Sequence, residues 1–110
     1  QLLASLPEGA AADWLAVAYE PIWAIGTGRI PSMEAVATMH AALRKALASR
    51  IGAEADRMRI LYGGSMNGDN AADLMALADV DGGLVGGASL SATKFAPIIE
   101  AADQRMQAAA

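Results

Sequence analysis

The sequence predicts an α/β protein built on a parallel sheet, and three observations carry that expectation. Three short apolar runs stand out, Leu15-Ala16-Val17-Ala18-Tyr19, Arg59-Ile60-Leu61-Tyr62 and Gly83-Leu84-Val85. Each ends at a glycine or a Glu-Pro step and is followed by a helical pattern, giving β-α-β-α-β-α. Polar and glycine residues collect after the runs, where loops of a parallel sheet carry polar groups above a rigid scaffold.

The elements can be justified in chain order. Gln1 to Leu6 read as the last turns of a helix stopped by Pro7 and Gly9, with no initiator Met and no basic leader. The chain therefore reads as one that begins mid-fold, with residues 1–9 the end of a preceding helix and loop, inside a single partial domain spanning 1–110. After the first strand, Val36, Met39, His40, Leu43, Leu47 and Ile51 recur at steps of three and four. That spacing predicts a helix over about 33–51, with Ser32 as N-cap and Gly52 just past its end. After the second strand, Asn70 is placed to cap a short helix running to about Ala78, with Leu74, Met75 and Leu77 inward. After the third, Phe95, Ile98, Ile99, Ala102 and Met106 share one face of a final helix. Pro97 belongs near its first turn because proline lacks an N–H. The near-continuous apolar strands suit a sheet covered by helices.

Composition narrows the function classes. The 110 residues hold 8 Lys+Arg against 12 Asp+Glu, a net charge of −4, which argues against nucleic acid as a partner. At 55% hydrophobic the chain is too apolar for disorder. Its apolar runs are nevertheless far shorter than the ~20 residues of a membrane helix, so no membrane partner is expected. The absence of cysteine excludes disulfides, Cys-bound zinc and thiol catalysis within this chain. With a single histidine, His40, a His-based metal site or a Ser/His/Asp triad is a poor fit. His40 falls mid-helix and reads as a packing or surface residue.

Three polar clusters remain: Glu20 through Gly28, Gly63-Gly64-Ser65 with Asn67 and Gly68, and Gly86-Gly87-Ala88-Ser89. A carboxylate directly behind an apolar strand, Glu20, would sit at the sheet's rim, where limited water strengthens a general base. It could equally point to solvent or pair with Arg29. Pro21-Ile22-Trp23-Ala24-Ile25-Gly26-Thr27-Gly28 puts large apolar side chains between a proline and two glycines, which suits a lid that excludes water. The same composition would suit a loop anchored permanently by Trp23. The two glycine pairs offer backbone N–H groups that can approach a phosphate closely, although glycines also make ordinary turns. Neither G-x-G-x-x-G nor G-x-x-x-x-G-K-[ST] occurs, so no nucleotide is implied. Gly63-Gly64-Ser65-Met66-Asn67 narrowly misses a nucleophile elbow, and no histidine follows it as base.

Read together, Ala18 to Gly28, Tyr62 to Gly68 and Asp81 to Leu90 closely resemble the triosephosphate isomerase family, in its order and spacing. The resemblance implies the last three βα units of a (β/α)8 barrel, a C-terminal segment. It further implies an enzyme of glycolysis and gluconeogenesis that interconverts dihydroxyacetone phosphate and D-glyceraldehyde 3-phosphate through an enediolate, with no metal or cofactor. On that resemblance Glu20 is the base, Pro21 to Gly28 the lid, and Gly26, Ser65, Gly86 and Gly87 hold the substrate phosphate. Tyr62 and Ser65 are lid-closure partners. The resemblance also implies a cytoplasmic enzyme, homodimeric when complete. Its lysine, its electrophilic histidine and most of the dimer interface would lie outside this segment, which alone is expected to be inactive. The family commonly has a backbone N–H at the lid's trailing hinge to meet the Tyr62 hydroxyl, and Pro31 cannot supply it. The alternatives are a non-catalytic phosphate-binding module and an oligomerising half-barrel.

Overall fold

In a computed structural model, the described residues are 2–22 and 31–109. Helix α1 spans Leu2–Ser5, strand β1 Ala16–Tyr19, helix α2 Met33–Ile51, strand β2 Arg59–Tyr62, helix α3 Ala71–Met75, strand β3 Gly82–Gly83 and helix α4 Ala92–Ala109. Short 3₁₀ turns cover Gly52–Asp56 and Gly87–Leu90. The sheet runs β1-β2-β3 and is parallel throughout. Val17 pairs with Ile60, Tyr19 with Tyr62 and Tyr62 with Gly83.

Helix α2 forms where its spacing predicted it. The Ser32 hydroxyl accepts a hydrogen bond from the Ala35 N–H at 3.1 Å, satisfying one of the first-turn donors that a helix leaves unpaired. At the other end Gly52 takes φ +63, and its N–H returns to the Ala48 carbonyl. That left-handed backbone is the reason a glycine ends the helix. The inward seam consists of Val36, His40 and Leu47, while Met39 is 40% exposed.

Because strand side chains alternate, Val17, Ile60 and Tyr62 point to the helices and are buried. Ala16, Ala18 and Arg59 point to the other face and are exposed, so among the described residues the helices cover one side of the sheet. Two apolar clusters lie under that cover. One joins Tyr62, Met66, Leu74, Val80 and Ile98 beneath α3 and α4. The other joins Val17, Leu47, Met58 and Ile60 beneath α2.

Several boundaries differ from the sequence expectation. The third strand is Gly82–Gly83 instead of 83–85, because its partner β2 ends at Tyr62. The last ladder bond is Leu84 N–H to the Tyr62 carbonyl, 2.9 Å, beyond which the chain leaves the sheet and Leu84 is half exposed. Helix α3 stops at Met75, short of Ala78. Asn70 makes no side-chain cap bond to it, because its side chain is turned back to the preceding loop. In α4, Ile98 and Ala101 are buried, whereas Ile99 and Met106 are 53% and 72% exposed. The helix starts at Ala92, so Pro97 lies inside it, past the first turn.

Candidate active site

The three loops leaving the sheet emerge side by side, since the strands are parallel and adjacent. Glu20 follows β1, Gly63-Gly64-Ser65 follow β2, and Gly86-Gly87 follow β3. Backbone bonds stitch their roots together: Gly63 N–H donates to the Tyr19 carbonyl at 2.7 Å, and Leu84 N–H to Tyr62. A side chain at Gly63 would be crowded, because a Cβ there would stand 3.0 Å from the Tyr19 carbonyl oxygen. A Cβ on Gly64 would overlap the Tyr62 hydroxyl. By contrast, Gly86 and Gly87 are exposed and would place a Cβ in open space. Their lack of side chains serves approach from outside rather than packing within.

Glu20 is exposed in an open groove with Tyr19, Ile22, Met39 and Leu43. This differs from the shielded rim expected of it, because no described residue covers the groove. Pro21 is fully buried and Ile22 is 75% exposed, so the segment leaves β1 with a fixed root and an uncovered apolar side chain. The rest of the expected lid, Trp23 to Gly28 with the phosphate candidate Gly26, lies outside the described residues, as does Arg29.

Ser65 is exposed at the same rim. Its loop is shaped by Asn67 together with Asn70, which the sequence reading placed as a helix cap. Asn67 Oδ1 accepts from the Asp69 and Asn70 N–H groups at 2.8 and 3.2 Å. Asn70 Oδ1 accepts from the Asn67 N–H at 2.8 Å, and its Nδ2 donates to the Ser65 carbonyl at 3.0 Å. Asn70 is thus a brace for Ser65 rather than a helix cap, and Asn-Gly-Asp-Asn is a signal that could have indicated such side-chain-to-backbone turns. Beyond β3, Ser89 N–H donates to the Gly86 carbonyl at 2.9 Å, closing the turn that presents Gly87.

Below this rim lies His40, wholly buried. Its Nδ1 is 3.0 Å from the Asp79 carbonyl oxygen, which can only accept, so Nδ1 carries the proton. Its ring meets Tyr19 edge-on at 5.7 Å and lies 6.3 Å from the Tyr62 ring. Burial pushes the His40 pKa down, more strongly than the Asp79 hydrogen bond and the nearby Asp81 push it up. Burial also pushes the Tyr62 hydroxyl up, keeping it protonated. His40 Nε2 and the Tyr62 hydroxyl are both buried without a partner.

At the opposite end of the strands, Arg44 gathers a network. Its Nε donates to Asp79 Oδ1 at 3.0 Å, its Nη2 to Asp81 Oδ2 at 2.6 Å, and its Nη1 to the carbonyls of Ala55 and Met58. Asp81 Oδ2 also accepts from the Ile60 N–H at 2.9 Å. Burial opposes the charge of Arg44, but its bonds to the two aspartates raise its pKa nonetheless. Among the described residues no cluster of three His, Cys, Asp or Glu could hold a metal ion. No described helix is long and apolar enough to cross a membrane.

A parallel βα segment whose polar residues converge at the strands' C-terminal ends belongs to the α/β class, in which that rim is where sites are built. Residues 1–102 match the family model described as triosephosphate isomerase, and the chain belongs to that family. A triosephosphate isomerase of Xanthobacter autotrophicus is 60% identical over 105 residues, covering 96% of this chain and 41% of the relative. One from Xanthobacter flavus is 60% identical over 101 residues, covering 92% and 41%. The crystal structure of the Bartonella henselae triosephosphate isomerase superposes with a TM-score of 0.81 at 41% identity, over 91% of this chain and 39% of that one. The chain therefore spans about two fifths of the length of these relatives and is a partial barrel.

Proposed function

We propose that this segment supplies the proton-transferring and phosphate-holding part of a triosephosphate isomerase, the activity belonging to the full-length chain. The observation that carries the reading is the convergence of Glu20, Ser65, Gly86 and Gly87 at one rim, on three adjacent parallel strands. In this reading the Glu20 carboxylate removes a proton from the carbon beside the carbonyl of dihydroxyacetone phosphate. A proton then passes from the former hydroxyl oxygen of the enediolate to the former carbonyl oxygen, and the neighbouring carbon takes the abstracted proton back to give D-glyceraldehyde 3-phosphate. Backbone N–H groups of Ser65, Gly86 and Gly87, with Gly26 from the lid, hold the phosphate, since small residues let it reach the main chain. Pro21 to Gly28 close over it, and Tyr62 and Ser65 stand at the loop that meets them.

The group that polarises the carbonyl comes from the rest of the barrel, because a base acting without such electrostatic help leaves most of the rate enhancement missing. The remaining strands also cover the exposed face of Ala16 and Ala18. We read residues 1–110 as one partial domain, the full-length enzyme as a cytoplasmic homodimer, and its partner as a small phosphorylated triose rather than nucleic acid. A coupled isomerase assay tests this: the full-length chain is active, Glu20→Asp lowers its rate, and the 110-residue chain alone is inactive. A full-length chain that turns over no triose phosphate, or whose rate ignores Glu20→Asp, contradicts the proposal.

A further inference from the structure

Among the described residues, His40 is the side chain whose ring lies near the tyrosines ending both β1 and β2, Tyr19 before Glu20 and Tyr62 before Gly63-Gly64-Ser65. Its third tether is the Asp79 carbonyl, on the turn that feeds β3. With Nδ1 donating there, Nε2 is left as a bare acceptor inside the protein. The nearby Tyr62 hydroxyl is buried and equally unpartnered. A donor and an acceptor each stranded in a core are costly apart and favourable together. Pro31, buried at the start of α2, has no N–H to offer that hydroxyl.

We propose that His40 is a positioning residue. Held in its Nδ1–H tautomer by Asp79, it offers Nε2 as the acceptor for the Tyr62 hydroxyl. The ring beneath Gly64 and Ser65 is thereby anchored to α2 instead of to the lid hinge. The contact is inferred from two buried, unpartnered atoms on rings whose centroids lie 6.3 Å apart, and its purpose, to steady the Ser65 end of the phosphate site, rests on the function proposed above. The hydroxyl packs directly under Gly64, where a Cβ would overlap it, so the position of this ring bears directly on the Gly64-Ser65 backbone.

The test uses the full-length chain. Nitrogen-15 spectra of the histidine side chains, with His40 assigned by its loss in His40→Gln, are expected to show the Nδ1–H tautomer. The Nε2 resonance should move when Tyr62→Phe removes the donor. In kinetics, His40→Leu and Tyr62→Phe each raise KM for the triose phosphate about fivefold with a smaller change in kcat. The double variant is no worse than either single one, as two halves of one contact require. His40→Gln, which keeps an acceptor, recovers part of the loss. An Nε2–H tautomer, an Nε2 resonance indifferent to Tyr62→Phe, or KM effects that multiply in the double variant overturns the proposal. Should His40→Leu fail to fold, the tautomer and the response to Tyr62→Phe still decide it. A full-length chain that lacks isomerase activity but shows the Nε2 response overturns the functional reading and supports the contact.

Discussion

The two ends of the sheet are built on opposite terms. Where the strands begin, Arg44 donates to two carboxylates and two carbonyls, and Asp81 in turn holds the Ile60 N–H, so this network is satisfied. Where they end, glycines replace side chains, Glu20 stands exposed, and His40 Nε2 and the Tyr62 hydroxyl lie buried without partners. Satisfied polar networks fix a structure, whereas exposed backbone and unspent donors and acceptors leave room for a ligand and for movement. On the proposed function, the difference puts stability at one end and chemistry at the other.

Breaking the satisfied end should have the largest effect on folding. Arg44→Met leaves Asp79 without its cation and Asp81 with only Arg105, 3.7 Å away, and should cost the full-length chain about 3 kcal/mol, read from its denaturant midpoint. The lower end of the buried range applies because the two aspartates are 30% and 26% exposed. A loss below about 1 kcal/mol would mean that this end is held by packing alone.

At the other end, Gly64→Ala sharpens the comparison. A methyl there collides with the Tyr62 hydroxyl, and we expect about 1–3 kcal/mol of strain together with a raised KM for the triose phosphate. If Tyr62 yields without loss, the space under the Ser65 loop is larger than its packing indicates. Ser32→Ala, at the N-terminus of α2 next to Pro31, should cost about 1 kcal/mol through the lost bond to the Ala35 N–H, read from the denaturant midpoint.

The mildest perturbation is acid. His40 stays neutral in the folded state because burial outweighs Asp79 and Asp81, while Arg44 also disfavours its charge. The unfolded chain takes up the proton at the ordinary histidine value of about 6.5. Stability is therefore full above that pH, falls as pH drops below it, and stops falling once folded His40 is itself protonated. Denaturant midpoints between pH 7.5 and 5.5, flattened in His40→Gln, would show it; an unchanged slope in that variant would contradict it.

Much of this contrast could be read in the sequence, and unevenly. Helix α2 was legible to its ends because capping chemistry is local: Ser32 and Gly52 act within a turn of themselves. The glycine-rich rim was legible because glycines, a Glu-Pro step and apolar strands are contiguous along the chain. The Arg44 network was not, since its partners lie 35 and 37 residues away and nothing local distinguishes such an arginine from a solvated one. His40 was read as packing or surface, and only the fold places it against both tyrosines. The third strand and Asn70 were misplaced for related reasons. Strand length is set by the partner strand, and the asparagine chose the loop of Ser65 over the helix behind it.

The most direct test of the division of labour is to measure kcat/KM and the denaturant midpoint of full-length Glu20→Gln beside the parent chain. If the rim carries chemistry and little stability, kcat/KM falls about 10³-fold, within the range for loss of a general base, while the midpoint stays where it was. A variant that keeps its activity within tenfold, or loses it only in proportion to unfolding, would contradict the account.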